Sequence, residues 1–409
     1  MFRNKTIVRN INLFYIAYPI NTLNTMKRIL KITAIVALVA LLIFLAIPRN
    51  HYIVRALIYQ KPKIDSYKLF ENRVVARGLA QPWKVLEKYN SINLTDEQLG
   101  YFSSSKTVAY LVIKDTMLLS ETYWGGYDKD SYSNSFSMSK SIVSILIGCA
   151  LQDGYIKSID QPVGDFLPEY RVGERSKITL RNLLMMSSNL SWDESYSSLF
   201  SITTQAYYGN DIKRIVFNLY SKGEPGKYFD YRGSDPQLLA LVVEAVTGKT
   251  LSEYAAEKIW KPIGAEHEAL WSLDKKDGTE KASCCFNSNA RDFARIGQLM
   301  LNGGKWKGVQ IIPEWYFKEA TTPASKLIDI ELNQQNQRYG YQWWCLKHKN
   351  LSIFYARGIL GQYIFVIPEL NAVIVRLGHK RSDVKIDGHP EDVYKYIDFG
   401  IDIINRSSK

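Results

Sequence analysis

Apolar positions along this chain fall into three regimes. The first is an uninterrupted run, Ile32 to Ile47 (ITAIVALVALLIFLAI), sixteen residues without a charge. Beyond it, residues 57–105 mix short helix and loop signals. Lys106–Ser120 (KTVAYLVIKDTMLLS) is then apolar and β-branched on either side of Lys114-Asp115, which predicts two strands joined by a turn. Gly125-Gly126 marks another turn. The run Ile142–Ile147 is apolar almost all round and predicts a buried helix, with Ser137 at its first turn.

The second regime is helical and punctuated by caps. Thr179 heads LRNLLMMSS, and Asp211 opens a pattern that reaches Leu219. Asp235-Pro236 reads as an N-cap followed by a first-turn proline, starting a helix that stops at Gly248. Thr250 and Glu253 form a capping-box pattern. Asn289–Leu301 is amphipathic and ends at Gly303-Gly304. The third regime is β: GYQWWCLK, SIFYARG, QYIFVIP and AVIVRLG read as consecutive antiparallel strands, and Asp392–Ile404 as a closing helix. The expectation is an α/β fold over residues 57–409. An antiparallel sheet built from early and C-terminal strands is flanked by helices, with a mostly helical insertion at about 150–285.

The chain has 409 residues, 46% apolar and 22% charged, as an ordinary globular protein has. Its net charge of +12 invites a nucleic-acid reading, but the distribution argues against one. Arg3, Lys5, Arg9, Lys27, Arg28, Lys31, Arg49 and Arg55 lie in residues 1–56 with no Asp or Glu, which leaves only +4 of the +12 for the rest. Positive charge flanking an apolar run is what a membrane-targeting segment needs. The run ends Phe44-Leu45-Ala46-Ile47-Pro48, with no small-x-small cleavage site and no lipobox Cys, so an uncleaved signal anchor is expected. More positive charge precedes it than follows it, which puts the domain outside the cytoplasm, in a bacterial periplasm or at the cell surface. Met26-Lys27-Arg28 is a normal short basic start for such an anchor, and translation is expected to begin there.

Cys149, Cys284, Cys285 and Cys345 form no Cys-x-x-Cys, and the five His are scattered, so no zinc-type spacing exists. Adjacent cysteines rarely meet disulfide geometry, and no essential disulfide is expected.

Ser-x-x-Lys occurs four times: Ser103/Lys106, Ser137/Lys140, Ser272/Lys275 and Ser382/Lys385. Three precede a strand or lie in charged loops. Ser137 alone opens an apolar helix, near unpaired backbone donors and the positive end of the dipole. Lys140 shares its face. A lysine there is costly unless its charge is used or its pKa lowered, and a lowered pKa would let it take the proton of Ser137. The bland alternative is a plain N-cap with Lys140 snorkelling outward.

The stretches FSMSKSIVSILIG, ITLRNLLMMSSNLSW, PGKYFDYRGSDPQLLALVVEAVTGKTLSEYAAEKIWKPIGAE and NARDFARIGQLMLNGG, in that order, resemble the serine β-lactamase/penicillin-binding-protein superfamily. Within it, the class C-like branch of esterases and 6-aminohexanoate-dimer hydrolases is most similar, from about residue 70 to the end. The resemblance implies a β-lactamase/transpeptidase-like fold, Ser137 as acylated nucleophile and Lys140 as its proton partner. The family's Tyr-x-Asn motif matches Tyr231-Arg232-Gly233 after Pro225-Gly226, making Tyr231 a proton shuttle and putting Gly233 in the Asn position. The Lys/His-Thr/Ser-Gly strand matches Ala356-Arg357-Gly358-Ile359-Leu360-Gly361-Gln362, with Ala356 in the Lys/His position and Arg357 as a substitute cation unless strand alternation turns it away. The backbone amides of Ser137 and Ile359 would form an oxyanion hole, and Arg357, Gly358, Gly361 and Gln362 would border the substrate. No metal or organic cofactor is implied. The expected function is a membrane-anchored serine hydrolase acting through an acyl-enzyme on an ester, amide or peptide. The alternatives are a D-Ala-D-Ala carboxypeptidase or β-lactamase, or a non-catalytic binding protein on the same fold. Substrate and oligomeric state stay open.

Overall fold

The computed structural model describes residues 20–408; Arg3, Lys5 and Arg9 of the basic N-terminus lie outside them. Helix α1 runs Ile20–Ala46, and α2 follows at His51–Tyr59. The apolar helix is longer than the sixteen charge-free residues. Asn24–Ala46, 23 residues, is the one helix among the described residues long and apolar enough to cross a membrane. Nothing upstream of Ile32 breaks a helix, and the turn at Pro48 ends it. At 1.5 Å per residue it spans roughly 35 Å, enough for a hydrocarbon core of about 30 Å.

Strands β1 (Thr107–Lys114) and β2 (Met117–Tyr123) form the early hairpin, its turn made by Asp115 and Thr116 in left-handed conformation. Four helices then position the site: α3 (Met138–Gln152), α4 (Ile202–Tyr208), α5 (Ser234–Thr247) and α6 (Ala290–Leu301). The C-terminal strands are β3 (Trp344–His348), β4 (Leu351–Gly358), β5 (Gln362–Ile367) and β6 (Ala372–Gly378), and α7 (Glu391–Ser407) closes the chain. The sheet order is β3-β4-β5-β6-β1-β2, all antiparallel, so the early hairpin joins the late strands edge to edge. Register Val375↔Leu111 lies at the seam.

Period-two alternation divides the core. Leu111 and Ile113 face the cluster containing α3 and α6, while Tyr110 and Val112 face the cluster formed with α7. Every residue of α3 from Met138 to Ala150 is buried. Its internal hydroxyls are satisfied: Ser141 Oγ donates to Gln342 O at 2.7 Å and Ser144 Oγ to Tyr341 O at 2.7 Å. The caps at Thr179, Asp211, Thr250 and Asn289 all form, each side chain accepting a first-turn amide. The start of α5 differs from the expectation. Gly233 is its cap, and Asp235 and Pro236 lie inside the first turn, because the Asp235 carboxylate is engaged by the Ser188 and Ser234 hydroxyls and caps no amide of the helix. A second, four-stranded sheet pairs Asn72–Val75, Ala269–Ser272, Phe286–Ser288 and Ser133–Asn134, in that order. Its last strand delivers the chain to Ser137.

Helix α6 lies against the large sheet at Gly297, where an added Cβ would stand 2.5 Å from Val373 Cγ1 and 2.8 Å from Ile364 Cγ2. Gly297→Ala should therefore overpack this contact and destabilise the fold by about 1–3 kcal/mol. Urea denaturation measures it; an unchanged midpoint would mean that the layer yields freely.

Candidate active site

The Ser137 loop is set by its backbone. Ser133 and Asn134 pair with Ser288 and Asn287. Asn134 Oδ1 accepts the Phe136 amide at 2.8 Å, and Phe136, a buried aromatic, sits at φ +45°, where side chains are strained. The chain then turns into α3. Ser137 stands at the N-cap position, yet its hydroxyl caps no amide. Instead Lys140 Nζ donates to Ser137 Oγ at 2.9 Å and to the Ser283 carbonyl at 2.7 Å. Lys140 is 2% exposed and forms no ion pair among the described residues. This geometry excludes the bland alternative, since the lysine points inward and the serine is not a cap. No other Ser-x-x-Lys brings its two side chains together among the described residues: Ser272 Oγ donates to Asn72, Ser382 Oγ accepts the Val384 amide, and Lys106 lies in a left-handed turn.

Ser283 precedes a feature contrary to expectation: Cys284 and Cys285 are joined by a disulfide. Cys285 is left-handed at φ +71°, and this turn lets neighbouring side chains meet where extended backbone would part them. The same turn precedes Phe286–Ser288, so the carbonyl that holds Lys140 and the strand that holds the Ser137 loop belong to one segment.

Tyr231 comes to the same place, with Lys140 Nζ 5.0 Å from its ring centroid. Its ring packs on Trp344 at 5.4 Å and edge-on to Tyr339 at 5.9 Å. Gly233 has a steric reason. A Cβ there would lie 2.9 Å from Trp192 Cζ2, and the Gly233 amide donates to Glu194 Oε2 at 2.7 Å, as Trp192 Nε1 does at 2.6 Å.

Pairing of β3 with β4 ends at Trp344↔Tyr355, so one edge of Ala356–Gly358 is open while the other pairs with β5. Gly358 lies against the Ser137 loop: a Cβ would stand 2.2 Å from Ser135 O and 3.2 Å from Phe136 Cβ. Ile359 is the next residue in the chain. Alternation puts Ala356 with the α3 cluster and Tyr355 with the α7 cluster, and Arg357 follows Tyr355. Its guanidinium carbon lies 3.3 Å from the Trp344 ring centroid, a cation–π contact, and its Nη1 is buried without an acceptor. Gly361 and Gln362 do not continue this edge, contrary to expectation. Gly361 is in the turn after β4, against Arg376, and Gln362 opens the neighbouring strand β5 with its amide donating to Gly378 O at 2.6 Å. Sequence reasoning missed Ser283, Trp192, Glu194 and Trp344. The Trp343-Trp344 doublet was the only visible hint, and it also fits an ordinary core.

A family model described as Beta-lactamase matches residues 101–391. The 6-aminohexanoate-dimer hydrolase of Paenarthrobacter ureafaciens is 26% identical over 286 residues, 66% of this chain and 72% of that protein. Among solved structures, a family VIII carboxylesterase is similar with a TM-score of 0.59 at 17% identity, covering 75% of this chain and 95% of the other. A penicillin-binding protein from Bacillus halodurans is similar with a TM-score of 0.56 at 17% identity, covering 69% and 95%.

Asp235 ties the Tyr231 segment to the rest. It is fully buried; Ser188 Oγ and Ser234 Oγ donate to its Oδ1 at 2.7 and 2.8 Å, and its Oδ2 has no partner. Burial raises its carboxyl from 3.8 to about 6, with Arg232 opposing. The native state thus binds this proton more tightly than the unfolded chain does. The contribution is complete below about pH 3.8 and is lost as pH rises through about 6. Asp235→Asn cannot ionise, so its stability relative to wild type should improve between pH 4 and 7, by up to about 3 kcal/mol. Urea unfolding of both proteins at the two pH values checks this; a gap independent of pH would contradict it.

Proposed function

The chain belongs to the Beta-lactamase family, and from that premise we propose that it is a serine hydrolase that cleaves an ester or amide through an acyl-enzyme on Ser137. The observation that carries the reading is the 2.9 Å contact between Lys140 Nζ and Ser137 Oγ, made by an amine sealed from water. In the reaction Ser137 Oγ attacks the substrate carbonyl and passes its proton to the Lys140 amine. Negative charge develops on the carbonyl oxygen, facing the backbone amides of Ser137 and Ile359 as an oxyanion hole. Tyr231, beside Lys140, relays a proton to the leaving group as the tetrahedral intermediate collapses. Water then cleaves the ester on Ser137 by the same route in reverse, restoring the hydroxyl.

The open edge of Ala356–Gly358 is where an extended acyl portion would pair. Ala356 carries no charge with which to hold a carboxylate on that face, which weighs against a β-lactam or a D-Ala-D-Ala peptide. The hydrolase and carboxylesterase among the similar proteins fit a linear ester or amide better. A non-catalytic role leaves the inward-pointing Lys140 without a purpose. Helix α1, long and apolar enough to cross a membrane and headed by Lys27, Arg28 and Lys31, holds the domain at a membrane, outside the cytoplasm.

Ser137→Ala should abolish labelling by a fluorophosphonate probe and reduce p-nitrophenyl ester hydrolysis to background. Lys140→Ala should slow the same reaction roughly 10²–10⁴-fold. Labelling of the Ser137→Ala protein at the wild-type rate would sink the assignment.

A further inference from the structure

Helix α2 buries Tyr52, Ile53 and Ala56 against Phe70 and Tyr208. Its other face carries an apolar strip beside His51 and Arg55. Leu57 and Ile58 are 55% and 65% exposed, with Val54 beside them at helical spacing. An exposed apolar strip opposite a packed face has a second partner to find. Its place in the chain limits what that partner is. Only residues 47–50 separate it from α1, and the junction is braced: Asn50 Nδ2 donates to Phe44 O at 2.8 Å, and Leu45 packs on the α2 cluster. Arg49, Lys61 and Lys63 flank it, Arg55 being turned onto Phe70 and the Tyr208 and Leu69 carbonyls, and the first acidic residue of the sequence is Asp65.

We propose that the outward face of α2 lies in the interfacial layer of an anionic lipid bilayer, as a foot that holds the domain in one orientation against the membrane. This rests on the reading of α1 as a membrane anchor. An apolar helix face flanked by cations suits the headgroup boundary, buried about 5–10 Å deep. The same contact places the site. Leu199 packs on the α2 cluster alongside Leu45, so the loop Trp192–Ser201 stands at the level where α1 leaves the bilayer. Phe200, next to Leu199, is 72% exposed. At its other end this loop brings Trp192 and Glu194 to Gly233, two residues beyond Tyr231. The mouth of the site therefore faces the lipid surface, and the esters or amides within reach are amphiphiles held there.

The test uses the full chain in vesicles of phosphatidylglycerol and phosphatidylethanolamine. Cys149 and Cys345 are buried and Cys284 and Cys285 are bridged, so one introduced cysteine takes an environment-sensitive label. At Leu38→Cys the label should report acyl-chain depth. At Ile58→Cys and Phe200→Cys it should show blue-shifted emission, quenching by a headgroup-depth lipid quencher and protection from iodide. A Leu57→Glu/Ile58→Glu variant should move the Phe200 label into water while hydrolysis of a short soluble ester stays unchanged. Water-like emission at position 58 with position 38 in the acyl chains overturns the foot and leaves the anchor standing; position 38 in water overturns both. Position 58 shielded and position 200 in water, or a Phe200 label indifferent to the double variant, overturns the placing of the loop.

Discussion

The Lys140 amine has left water without meeting a carboxylate, and much of this chain is arranged around that fact. A buried amine must place its N–H donors, and each one left unmade in a dry interior is costly. Ser137 Oγ and the Ser283 carbonyl take two, and the face of Tyr231 stands over the amine as a weaker third partner. These groups come from parts of the chain separated by as many as 146 residues. The four-stranded sheet registers the Ser137 loop on Phe286–Ser288, and the bridged turn at Cys284-Cys285 aims the carbonyl that precedes it. Phe136 tolerates a left-handed backbone because Asn134 and the helix behind it leave no alternative.

How much of this could be read from the sequence depends on the range of the interaction. Local signals were legible. Thr179, Asp211, Thr250 and Asn289 cap the helices they announce, because a cap is a contact over three residues. The four C-terminal strands and the β1–β2 hairpin follow from alternation and turn residues. The pairing of Ser137 with Lys140 was legible for the same reason, being one helical turn. What depends on distant partners was not. Asp235 looks like an N-cap until Ser188, 47 residues earlier, claims its carboxylate. The Cys284–Cys285 bridge needs a left-handed turn that no residue type at that position demands. Gln362 continues the matched motif in sequence but crosses a turn to the next strand in space.

At Gly233 and at Arg357 an indole stands where a polar contact is expected. At Gly233 the ring of Trp192 fills the space that a side chain would take. At Arg357 the cation is drawn onto Trp344. The second could be undone in principle by a one-residue slip of β4, which would turn Arg357 to the face now held by Ala356 and Gly358. Gly358 forbids that slip. Its missing side chain is what allows Ser135 O to approach to within 2.2 Å of the Cβ position, and an arginine moved there would collide with the Ser137 loop. The β5 pairing holds the same register from the other edge, Ala356↔Ile364 through Gly358↔Gln362. The neutral face beside Ser137 is therefore a consequence of backbone approach, and no rotamer of Arg357 restores the missing charge to it.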